Sequence, residues 1–143
     1  MTQEKITQEF VSYDQALALK ELGFDEPCFG GYDMETLKLW IGYLNDGEQF
    51  NREYYYPAPT FSQALRWFRN QDFIIDISSD ENRYYGQNNK NCQYSHCISF
   101  SEATVFSDFY DSYEEAETSC IDKLIELLKH FQVQDYTVYL KKN

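Results

Sequence analysis

Apolar positions along this chain follow two different periods. Spacings of three and four link Ala16, Leu19 and Leu22, then Phe61, Leu65 and Phe68, and then Tyr113, Ala116, Cys120, Leu124, Leu127 and Phe131, with Ile121 and Leu128 widening the last stripe. Such spacing places side chains on one face of an α-helix. Each segment also opens with the same device: Ser12, Thr60 or Ser112 can cap the first turn, while Gln15, Gln63 or Glu115 can reach back to the amide of the capping residue. Helices are therefore predicted over about Tyr13 to Leu22, about Phe61 to Asn70, and from Tyr113 onward, with Lys129 and His130 near the end of the third. Gly23 is free to take the left-handed conformation that closes the first, and "PAP" at residues 57 to 59 ends the extended segment ahead of the second.

Between the helices the period falls to two. Leu37, Leu39, Ile41 and Tyr43 alternate, an Asp-Gly turn follows at residues 46 and 47, and Phe50, Tyr54 and Tyr56 alternate in return, which predicts a hairpin. Phe73, Ile75 and Ile77 predict another strand, residues 92 to 100 a further one, and Tyr136, Val138 and Leu140 a last one, with a weaker strand near Cys28 to Tyr32. "GQNNKN" at 86 to 91 reads as an exposed turn. The expected fold is α+β, with one antiparallel sheet of about five strands and three helices packed mainly on one face. No linker composition interrupts it, so residues 1 to 143 are expected to form a single domain.

Composition narrows the function. The chain carries a formal charge of −12, and aromatic residues make up 18% of it. Acids outnumber bases by 10 to 3 over residues 1 to 50 and by 9 to 4 over 101 to 143, while residues 51 to 100 balance at 5 each. Such a field disfavours nucleic acid bound through a basic surface, and anionic membranes likewise. The first residues show neither a basic leader nor an apolar core, and no apolar run reaches membrane-spanning length, so a soluble cytoplasmic protein with reduced thiols is expected.

"NCQYSHCISF", residues 91 to 100, raises the question of a metal. In a strand, Cys92, Tyr94, His96, Ile98 and Phe100 share a face and Cys97 points the other way. Cys92 and His96 then stand about 13 Å apart, too far to ligate one zinc ion, whose ligand atoms lie about 2.0 to 2.3 Å from it. We therefore expect no metal and no cofactor, with Cys92, Cys97 and Cys120 as small core residues. The adjacent pair His96 and Cys97 fails as a catalytic dyad for the same geometric reason. "FGG" at 29 to 31 lacks any phosphate-loop or dinucleotide pattern.

The balanced middle of the chain offers a different chemistry. Arg66 and Arg69 lie three apart on the outer side of the second helix, Trp67 borders its buried stripe, and Tyr54 and Tyr55 precede it; these residue types dominate protein-interface hot spots. The plainer reading puts Tyr54 and Tyr56 in the sheet core and pairs the arginines with surface acids.

"SYDQALALKELGFDEPC", "PAPTFSQALRWFR" and "SYEEAETSCIDKLIELLK" together resemble a group of small proteins of gut Bacteroidetes and of their phages or other mobile elements. The resemblance covers roughly the three helical segments, about a third of the chain, and does not extend over Asn82 to Tyr110. It implies an intracellular accessory protein and assigns no residue a role. The expected function is a non-enzymatic protein-interaction or regulatory module, monomeric or homodimeric, with an unidentified protein partner. The alternative is an enzyme or small-ligand binder with a site assembled around His96 and nearby tyrosines.

Overall fold

A computed structural model describes residues 3–42, 54–80 and 93–142, with side chains over 5–42, 54–79 and 93–132. In chain order these residues form α1 (Gln3–Thr7), α2 (Tyr13–Glu21), β1 (Gly30–Asp33), β2 (Leu39–Ile41), β3 (Tyr55–Ala58), α3 (Phe61–Arg69), β4 (Ile74–Asp80), β5 (Gln93–Phe100), β6 (Ala103–Phe106) and α4 (Tyr113–Lys142). The class is α+β, as expected. The single sheet is not found: six strands form two three-stranded antiparallel sheets, ordered β2-β1-β3 and β4-β5-β6, and the described residues hold four helices rather than three.

The residues cluster into two compact units, one comprising 1–64 and 125–143, the other 65–124, so that the boundary falls within α3 and within α4. In the first unit, β1 is the central strand and pairs with both β2 and β3. The expected hairpin therefore changes partners: Leu39 and Ile41 pair with β1, and so do Tyr55 to Ala58. Its turn, with Tyr43 and Phe50, lies outside the described residues. The reversal from β1 to β2 is tight instead. Asp33 Oδ1 accepts from the amides of Glu35 and Thr36 at 2.8 and 2.9 Å, and Leu37 sits at φ 60, exposed rather than on the inner face. Those two amide bonds hold the Asp33 carboxyl below its ordinary pKa.

Val11, Ala16, Leu19, Leu22, Phe24, Ala58, Phe61 and Ala64 are buried in this unit, and α2 packs on β3. The Ser12 capping box forms in full, and Gly23 closes the helix at φ 101. Thr60 Oγ1 accepts from the Gln63 amide at 3.2 Å, but the Gln63 side chain donates to the Pro27 carbonyl at 2.9 Å, so this cap is one-sided. The tyrosines form an edge-to-face group, with Tyr13 against Tyr32 and Tyr56, and Lys20 Nζ 4.8 Å from the centre of the Tyr56 ring.

In the second unit, Phe68, Phe73 and Phe100 make a continuous edge-to-face chain, and Trp67 packs against Phe68. The buried face of α4 in this unit runs through Ala116, Cys120, Ile121 and Leu124; beyond the boundary it continues through Ile125 and Leu128, while Leu127 and Phe131 are half-buried. The expected strand at Tyr136 to Leu140 is instead helix, the continuation of α4 to Lys142. Nothing between Tyr113 and Lys142 is Gly or Pro, and a helix once nucleated propagates until something stops it. The predicted turn at 86 to 91 and Cys92 lie outside the described residues.

Candidate functional site

The residues around His96 come together within the second unit. Strand alternation along β5 turns His96 and Ile98 inward and Cys97 to the opposite face; His96 is 4% exposed and Cys97 half-buried. His96 is pinned through its backbone: its amide donates to Ser107 Oγ at 2.8 Å, and its carbonyl accepts from the Ser107 amide at 3.0 Å. One residue pair away, Tyr94 and Tyr110 exchange both backbone hydrogen bonds, at 2.9 and 2.7 Å. This bridge sets the Tyr110 ring parallel to the imidazole, with centroids 6.3 Å apart and planes 10° from parallel.

Ser119 joins the two side chains. Its Oγ lies 3.2 Å from His96 Nε2 and 2.6 Å from Tyr110 Oη. His96 Nδ1 is buried with no hydrogen-bond partner among the described residues. A buried lone pair without a donor is tolerated better than a buried N–H without an acceptor, so the favoured tautomer carries its proton on Nε2 and donates to Ser119. In that state the imidazole cannot take a proton from Ser119, and among the described residues no carboxylate orients it from behind, as a hydrolytic triad requires. Burial, and secondarily the positive charge of Lys123, push the imidazole below its ordinary pKa.

Ser119 and Tyr110 also line an open surface depression of about 510 Å³, together with Glu114, Glu115, Thr118 and Asp122. Successive turns of α4 bring its residues to one side, which the i, i+4 spacing of Glu114 and Thr118, and of Ser119 from Glu115, already encodes. Among the described residues, no three His, Cys, Asp or Glu side chains are placed to hold a metal ion. The Cys120 thiol, one residue from Ser119, is fully buried and pushed up to about 12 by that burial and by Glu117, which leaves it an unreactive packing group.

A second feature is the outer face of β4-β5-β6. The register aligns Ile74 with Ser99 and Thr104 in one row, and Asp76 with Cys97 and Phe106 in the next. Ile74 is 72% exposed and Phe106 77%, with the half-buried Cys97 beside them. The run "FIIDI" signals this, since consecutive apolar residues in a strand must place some on each face. Phe106 carried no comparable signal, because β6 is only four residues long.

The expected contact residues divide between the two units. Arg66 and Arg69 are exposed on α3, but Trp67 between them is 8% exposed and belongs to the aromatic core of the second unit, because its large ring completes the Phe68 contact. Tyr54 and Tyr55 fall in the first unit, at the start of β3, Tyr54 being 63% exposed and Tyr55 half-buried. Tyr54 is thus not a core residue, whereas Tyr56 packs against Tyr13.

Compared with known proteins, the chain matches no family model, no curated protein and no solved structure. No helix among the described residues is long and apolar enough to cross a membrane.

Proposed function

We propose that this chain is a non-enzymatic, cytoplasmic protein-interaction module whose partner contacts the outer face of β4-β5-β6. The observation that carries this reading is the pair Ile74 and Phe106, exposed in adjacent rows of one sheet face. Large apolar side chains left in water on one face gain by being covered. The net charge of −12 argues for a partner with a basic rim around an apolar centre, drawn in by long-range attraction.

The test is affinity isolation from the native host with chemical crosslinking, using the wild-type chain and an Ile74→Ser, Phe106→Ser double variant. A protein that crosslinks to β4 and β6 in the wild type, and is lost from the variant while circular dichroism is unchanged, supports the reading. Identical recovery by both forms, crosslinks confined to other surfaces, or no associated protein in either would overturn it.

One observation favours a second reading, as a small-ligand binder: Tyr110 and Ser119, joined through their hydroxyls, line the depression beside three carboxylates. Their chemistry suits a ligand that donates hydrogen bonds. The imidazole, donating to Ser119 rather than accepting from it, argues for binding there rather than catalysis.

A further inference from the structure

His96 occupies an unusual position for a titratable group. It stands mid-strand in the central strand of its sheet, 4% exposed, with one ring nitrogen tied to α4 through Ser119 and the other buried without a partner among the described residues. Among the described residues, no carboxylate hydrogen-bonds the imidazole. From β4, Ile77 is its register partner, and from the segment after β6, Ser107 has its hydroxyl engaged by the His96 amide and the Asp108 carbonyl. The segment ahead of α4 contributes the face of Tyr110, whose hydroxyl is turned to Ser119. From α4 itself come Ser119, the neutral Cys120 thiol and the cationic Lys123. Glu114, Glu115 and Asp122 line the open depression, and none of them hydrogen-bonds the imidazole.

We propose that His96 is a pH-sensitive latch of the second unit, whose protonation on Nδ1 puts an unpartnered N–H and a positive charge between β5 and α4 and so releases their contact. The proposal is independent of what the outer sheet face binds. Its sign follows from the burial of the neutral ring. The unfolded imidazole takes up its proton near pH 6.5, while the folded one, held below that value by burial and by Lys123, does not. The stabilisation is therefore complete above about pH 6.5, and it is lost as pH falls from there toward the folded value, by at most about tenfold in the opening equilibrium per pH unit.

Hydrogen exchange of the intact chain, followed by mass spectrometry between pH 7.5 and 5 and corrected for intrinsic rates, reads this directly. Peptides from β5 and from residues 113 to 124 should lose protection as pH falls below 6.5, by up to about tenfold per unit for as long as the folded ring stays neutral, while α2 peptides change little. In His96→Gln, which retains an N–H for Ser119 and cannot titrate, the profile should be flat. Equal pH dependence in both forms, or none in the wild type, would overturn the latch. Should the variant fail to fold, nitrogen-15 spectra of the wild-type imidazole decide alone: a proton on Nε2 and a pKa below 6.5 support the proposal, and a pKa at or above 6.5 sinks it.

Discussion

Gly30 shows how much one missing side chain can matter. A Cβ built there would stand 2.8 Å from the Phe10 ring and 2.9 Å from the Ala58 carbonyl, both inside any real contact distance. The "FGG" stretch, which matches no nucleotide loop, is therefore a packing device: Gly30 lets β1 lie close against Ala58 of β3 and beneath Phe10. Gly30→Ala should destabilise the protein by about 1 to 3 kcal/mol, as overpacking of a tight core does, measured by urea unfolding of wild type and variant side by side. A stability unchanged within about 0.5 kcal/mol would mean that Phe10 can move aside.

Among the elements, α4 separates what its own residues determine from what its neighbours do. Leu124 is fully buried and Leu127 half-buried, so Leu124→Ala should cost about 2 to 5 kcal/mol and Leu127→Ala distinctly less. Equal losses in denaturant midpoints would mean the helix is rotated toward the original stripe. Helix starts were legible because a cap is a local bargain between a hydroxyl and an amide three residues on; Ser12, Thr60 and Ser112 all accept such a bond. Which strand pairs with which was not legible, since pairing depends on residues distant in the chain. "GGYD" has little apolar character, yet it is the central strand, and Gly30 lets Ala58 of β3 and the Phe10 ring approach closely. Tyr136, Val138 and Leu140 alternate as a strand would, but the uninterrupted helix ahead of them prevails. At the candidate site, His96 stood out by its rarity, one of two histidines. Ser119 and Tyr110 carried no signal, because their meeting requires β5, the Tyr94 bridge and α4 to be in place first.

For the molecule as a whole, charge is the property the sequence states most directly. With acids at twice the number of bases and a pI of about 4.4, the chain repels its own copies at neutral pH. Light scattering across pH 3.5 to 7.5 at low ionic strength should show a solubility minimum close to pH 4.4. A minimum near neutrality instead would indicate that apolar contact between copies outweighs that repulsion. The two units also differ in how the chain builds them. Residues 65–124 are contiguous, whereas the first unit needs 1–64 and 125–143, joined for instance by the Gln132 side chain donating to the Leu22 carbonyl across 110 residues of sequence. During synthesis, then, the segment made first waits longest for its contacts. Residues 1–64 leave the ribosome before the α4 residues that complete their unit, Gln132 among them.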